Sequence, residues 1–187
     1  MTDAEASRGT KVWDVFVRVF HWSQAVVIGA AWVTADGPKW LHEALGYGLA
    51  ALVAARIVWG LVGTRHARFA DFVRGPSAVL AYLSDLRHGR ERRYLGHNPA
   101  GGAMIVALLA VTAGTILTGW LQTTDRFWGS SVMEEIHEAG AILILVLVGL
   151  HVCGVAFESV RHRENLVLAM ITGRKRPLPA DGPSGQT

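Results

Sequence analysis

Residues 136–157 read IHEAGAILILVLVGLHVCGVAF. After Glu138 no charged side chain appears until Glu158, so nineteen consecutive residues carry no formal charge. At a rise of roughly 1.5 Å per residue they cover about 29 Å, close to the thickness of a bilayer's hydrocarbon core. The stretch is apolar on every face and reads as a membrane-spanning helix. It nevertheless holds two histidines, His137 and His151, fourteen residues apart. That spacing is about 21 Å and nearly four full turns, so both rings lie on almost the same face. An imidazole left unpaired in hydrocarbon costs on the order of a few kcal/mol, so each ring needs a partner.

Three further stretches, 15–35, 41–62 and 100–121, are also long and apolar enough to span. In a chain of 187 residues too little sequence remains to bury four such helices inside a soluble core. The composition agrees: 51% of residues are hydrophobic and 18% charged, against about a quarter charged in soluble domains. The expected fold is therefore an all-α membrane protein, a four-transmembrane-helix bundle set in the lipid bilayer. The net charge is +3, but the basic residues sit between apolar runs, so no nucleic acid partner is implied. Arg65, Arg68, Arg74, Arg87, Arg90, Arg92 and Arg93 fall in the segment 63–98, while the connections on the other side hold only Lys39 and Arg126. The positive-inside rule places that segment and both the N- and C-termini in the cytoplasm. Trp13, Trp32, Trp40, Trp59, Trp120 and Trp128 cluster near span ends, as an aromatic belt would.

The remaining segments fit this frame. Residues 1–14 are polar and show no cleavage-site pattern, so the first span reads as a retained helix. Pro76 opens a stretch in which Val79, Leu80, Leu83 and Leu86 recur at helical spacing, expected to lie along the inner membrane surface. Residues 11–175 form the expected transmembrane domain, and the Pro- and Gly-rich tail 176–187 reads as disordered.

Four histidines lie within or at the mouths of the spans: His21, His42, His137 and His151. His21 lies about six residues into the first span and His151 about six before its own helix leaves on the same side, so the two are level. His42 and His137 each begin a helix at the opposite surface and are level there. Two pairs of imidazoles thus stack across the membrane, each joining different helices. Such a pair ligates haem iron from both axial sides, and a four-helix core is a known place for such a cofactor. Two-histidine sites hold zinc or copper weakly, and Cys153, the only cysteine, rules out covalent haem attachment through a cysteine pair. Two non-covalent haem b groups are expected. Arg56, fourteen residues after His42, reaches the level of His21 and His151. It either pairs with a haem propionate or snorkels to headgroups. His97, just before the third span, is the rival to His21 as fourth ligand, while Asn98 and Pro99 read as helix cap and first helical residue. A haem-free membrane anchor or assembly subunit is the competing class.

The stretches Arg18-Val19-Phe20-His21-Trp22, Leu41-His42-Glu43, Arg56-Ile57-Val58-Trp59-Gly60 and His97-Asn98-Pro99, with the His137 and His151 pair, resemble the bacterial cytochrome b561 family. They also resemble, more loosely, the b-type cytochrome subunit of nickel–iron hydrogenases. The resemblance covers residues 11 to 175. It implies four membrane helices in the bacterial inner membrane and two bis-histidine haems, with His21 paired to His151 and His42 to His137. It further implies electron transfer in a respiratory chain between a quinone/quinol pool, with ubiquinone as a candidate, and a periplasmic partner such as a c-type cytochrome. No catalytic residue is assigned; whether the chain itself oxidises quinol or reduces quinone, and whether it forms a homodimer, stay open.

Overall fold

The computed structural model describes residues 9–177. Seven α-helices fall among them: α1 (Val15–Val33), α2 (Lys39–Val62), α3 (Phe69–Phe72), α4 (Pro76–Arg87), α5 (Pro99–Leu121), α6 (Ser131–Arg161) and α7 (Leu166–Thr172). Helices α1, α2, α5 and α6 are each long and apolar enough to cross a membrane, so the chain is an all-α membrane protein with four such helices.

Local chemistry sets most helix ends. Asp14 caps α1 by accepting a hydrogen bond from the Val17 amide at 2.8 Å. Thr34 turns its hydroxyl back onto Ala30 O at 2.7 Å, ending α1 two residues before the expected 35. Asn98 accepts from the Gly101 amide at 2.7 Å, and Pro99 occupies the first helical position. Helix α6 runs 31 residues, beyond the expected 136–157 at both ends. Charged residues there end the apolar run but not the helix, because Glu and Arg are good helix formers and Glu134 in the first turn complements the dipole.

Both chain ends and the long connection after α2 meet at one end of the bundle, here the terminal end. Two short strands, β1 (Thr10–Lys11) and β2 (Arg174–Lys175), pair antiparallel there. The amides of Val12 and Trp13 both donate to Gly173 O, at 2.9 and 3.1 Å. Gly173 has φ +79°, and a Cβ on it would lie 2.5 Å from the Trp13 carbonyl oxygen, so no other residue fits. Val12, Trp13, Val17 and Ala67 form a buried cluster beneath the strands, flanked by Trp59, Leu95 and Met170. Helix α4 turns Tyr82 inward and leaves Leu80 and Leu83 exposed. Of the tail expected to be disordered, 178–187 lie outside the described residues, whereas the Arg176 amide donates to Glu164 Oε1 and Pro177 O accepts from Arg93.

The opposite, hairpin end consists of the short turns α1–α2 and α5–α6. Close backbone packing runs from α1 to α2, from α2 to α5, and most extensively from α5 to α6, whereas α6 does not pack closely on α1 or α2. A slot therefore separates α6 from the α1–α2 pair.

Candidate functional site

The four membrane histidines look across that slot. His21 on α1 faces His151 on α6 with ring centres 6.1 Å apart and planes at 53°. His42 on α2 faces His137 on α6, again at 6.1 Å, with planes at 79°. With about 1.1 Å from ring centre to nitrogen, the nitrogens in either pair can come no closer than about 3.9 Å, too far for a direct hydrogen bond. Two metal–imidazole bonds of roughly 2.0–2.1 Å on opposite sides of one atom would put the ring centres about 6.2 Å apart. Each gap therefore has the width of a single metal ion held by both rings. Among the described residues no group of three or more His, Cys, Asp or Glu side chains gathers to hold a metal. Any ion bound here needs its other ligands from elsewhere, as an iron already held in a macrocycle does.

The hairpin-end rings are fixed by the backbone. His42 Nδ1 lies 3.0 Å from Ala31 O, and His137 Nδ1 lies 2.9 Å from Thr115 O. A carbonyl only accepts, so Nδ1 carries the proton in both rings and Nε2, on the far side of the ring, keeps its lone pair. The terminal-end rings lack this support. Among the described residues, His21 Nδ1 is buried with no partner and no carbonyl is hydrogen bonded to His151.

Small residues divide into two uses. A Cβ added at Gly46, Gly48, Gly149 or Gly154 would meet nothing within 4 Å, so these positions border open space on the ligand-bearing helices. Gly119 and Gly140 do the opposite: a Cβ at Gly119 would lie 2.9 Å from His137 Cε1, and one at Gly140 would run into the Thr115 hydroxyl. Gly140 thus serves the α5–α6 contact and adds no room for a cofactor. The ring spacing across the gap between α6 and the α1–α2 pair fits a flat metallo-macrocycle.

Arg56 is 3% exposed, so it does not snorkel to the surface. Its Nη2 donates to Ala67 O at 3.1 Å, its guanidinium lies over the Phe69 ring, and Nη1 is buried without a partner. Arg18 donates through Nη1 to Ile171 O, and its Nε is likewise buried and unpartnered. His97 lies between Trp13 and Phe72, with ring centres at 4.5 and 4.9 Å and planes tilted by 42° and 58°. Its Nδ1 is likewise buried without a partner among the described residues. Burial, followed by the nearby Arg56 and Lys175 charges, pushes the His97 imidazole down to about 3, so it is neutral at physiological pH. The structure brings His21 opposite His151 and sets His97 among aromatic rings.

Other terminal-end contacts were not visible in the sequence. Asp14 accepts from Trp59 Nε1 at 3.0 Å and from Thr64 Oγ1 at 2.5 Å. Burial works to raise its pKa, but these bonds and the α1 cap outweigh it and hold the carboxyl below its usual range. Tyr82 donates to Glu158 Oε1 at 2.6 Å, and Asn98 Nδ2 donates to both. Glu164 accepts from Arg93 at 2.8 Å and lies 3.9 Å from Lys175. The one available signal was Glu158 at the end of an uncharged run, and nothing local named Tyr82 as its partner.

Comparison with known proteins places the chain in a family. The profile of the prokaryotic cytochrome b561 family matches residues 12–173. Relatives include proteins from Rhodobacter capsulatus, 24% identical over 88% of this chain and 80% of theirs, and Cupriavidus necator, 26% identical over 92% and 89%. Another comes from Azotobacter chroococcum, 25% identical over 87% and 86%. Each is described as a probable Ni/Fe-hydrogenase B-type cytochrome subunit. No solved structure matches the chain. The chain belongs to the prokaryotic cytochrome b561 family: it is a membrane b-type cytochrome, a haem protein of electron transfer.

Proposed function

We propose that the chain carries electrons across the bacterial inner membrane through two haem b groups, one held by His21 and His151, the other by His42 and His137. The observation that carries this reading is the repeated 6.1 Å ring spacing at two levels of one slot. Fourteen residues of α6 separate the two levels, about 21 Å along the helix. When bound, each haem would supply a one-electron couple, and His21 with His151, or His42 with His137, are the residues that would hold it.

The chain's own groups do the rest. Ala31 O and Thr115 O hold the hairpin-end rings in the tautomer that presents Nε2. The tilted Trp13, His97 and Phe72 rings and the paired strands pack at the same end of the bundle as His21 and His151. Arg56 offers its unpartnered Nη1 to a propionate, which offsets the desolvation of a buried guanidinium. The arginine-rich 63–98 segment lies at the terminal end, so the positive-inside rule assigns that end and both termini to the cytoplasm. The hairpin end then faces the periplasm and a redox protein there, while the membrane quinone pool is the other exchange partner. The relatives' description as probable hydrogenase cytochrome subunits supports a periplasmic oxidoreductase as that protein.

The test is the reduced-minus-oxidised absorption spectrum of the purified protein, with the haem-to-chain ratio. Two haem b per chain are expected, falling to one in His42→Ala and in His151→Ala. Absence of a b-type spectrum, or two haems retained in either variant, overturns the assignment.

A further inference from the structure

We infer that the notch between α6 and α7 binds one anionic phospholipid, with an acyl chain along α6 and the phosphate at Arg163. The inference needs only that α6 crosses the membrane and is independent of the haem assignment.

The notch follows from how α6 ends. The Arg163 amide donates to Val160 O at 3.2 Å and the Glu164 amide to Ser159 O at 3.0 Å, the pair of bonds that closes a helix through a left-handed residue. Arg163 is that residue, with φ +48°. Glycine usually takes this position because it has no Cβ to strain. The other described residues with positive φ are all glycines: Gly9, Gly89, Gly129 and Gly173. An arginine here carries backbone strain that a glycine would avoid, which points to a use for its guanidinium.

The chain re-enters a helix at once as α7, leaving a groove of about 500 Å³ whose wall includes Val152, Val155, Ala156 and Val160 of α6, with Arg163 at its end. That wall is continuous with the apolar outer surface: Val152 and Val160 are exposed, as are Val167, Leu168 and Ile171 of α7. The apolar residues lie toward the middle of the span and the cation at the helix end. A phospholipid lying beside the helix has the same order, with chain against the span and phosphate at its boundary.

Charge selects the headgroup. Several cations at this end are already engaged: Arg161 by Glu91, Arg93 by Glu164, Arg18 by Ile171 O and Arg176 by His162 O. Among the described residues no such bond engages the Arg163 side chain. Glu164, the acid in the groove wall, is held by Arg93 at 2.8 Å and by the Arg176 amide at 2.6 Å, with Lys175 at 3.9 Å, so it does not cancel Arg163. Two carbonyls that would repel an anion at a helix C-terminus, Ser159 O and Val160 O, already accept from amides. A guanidinium and a phosphodiester can form two parallel charge-assisted hydrogen bonds. A zwitterionic headgroup brings its own cation to that phosphate, so an anionic lipid is preferred.

The test is native mass spectrometry of the purified haem-loaded protein, stripped of lipid and titrated in detergent with phosphatidylglycerol or phosphatidylcholine. One phosphatidylglycerol per chain is expected, bound about tenfold or more tightly than phosphatidylcholine. Arg163→Asn keeps a residue that tolerates the left-handed region but removes the charge, and should abolish that preference. Ala156→Phe fills the groove from its apolar wall with the cation in place, and should weaken both lipids. Arg68→Gln, at an exposed cation of the same end outside the groove, should bind as the native chain does. Equal affinity for the two lipids in the native chain, an unchanged preference in Arg163→Asn, or unchanged binding in Ala156→Phe would overturn the inference. An equal loss in Arg68→Gln would overturn it too, by showing a general attraction of anionic lipid to the basic end. A dimer that dissociates in Ala156→Phe would assign the groove to a second copy of the chain instead.

Discussion

At the terminal end, two paired strands, the tilted rings of Trp13, His97 and Phe72, and the Glu158 and Glu164 networks gather at the end of the bundle that holds His21 and His151. At the hairpin end only two short turns lie beyond His42 and His137. The contrast shows two ways of fixing an imidazole in lipid. The hairpin-end rings are held directly, each by a backbone carbonyl of a neighbouring helix. At the terminal end, among the described residues, the support lies in the surrounding framework, in pairs such as Tyr82–Glu158 and Arg93–Glu164, and not in a carbonyl bonded to the ring. Direct support depends on one helix-to-helix distance, whereas indirect support is spread over many contacts and weakens gradually.

Gly119→Ala attacks the direct support. The new methyl would press on His137 at 2.9 Å from Cε1 and 3.2 Å from Nδ1, driving the ring off Thr115 O. Overpacking of this kind costs about 1–3 kcal/mol. The expected result is selective loss of one haem, with the terminal-end haem retained; equal loss of both in the haem-to-chain ratio would show that the two sites are not independently supported. Tyr82→Phe attacks the indirect support by removing one donor to Glu158. It should cost about 1 kcal/mol in thermal stability and leave both haems bound, because Asn98 still donates to the same carboxylate.

The smallest expected effect is on pH dependence. His97 is held near 3 in the folded chain against an ordinary value of 6.5, so the unfolded chain binds the extra proton between those limits. Stability from this residue is complete above 6.5 and is lost as pH falls toward 3. Melting temperature should decline from pH 6.5 downward, and His97→Asn should flatten that decline. An unchanged slope in the variant would remove His97 as its source.

The sequence carried the spans and their histidines plainly, because uncharged runs and ring spacing along a helix are local properties. The depth argument placed His21 level with His151 and His42 level with His137, and the rings face one another in those combinations. It also proposed Arg56 at the terminal-end level, but left open whether the side chain turns inward, which depends on Phe69 and Ala67 from another segment. The strand pairing of Thr10 with Lys175 was invisible, since a two-residue strand has no periodicity and its partner lies at the other end of the chain. The carbonyl bonds to Nδ1 were equally out of reach: they depend on how far apart neighbouring helices sit, which residue types do not encode.

Iron K-edge X-ray absorption on the purified protein tests the central claim most directly, since it counts axial imidazoles per iron. Our account predicts six-coordinate iron with two axial imidazoles at both sites in the native chain. A His42→Ala or His151→Ala chain should keep that coordination at its one remaining site. Iron bearing a single imidazole at either native site, or sites unaffected by both substitutions, would contradict it.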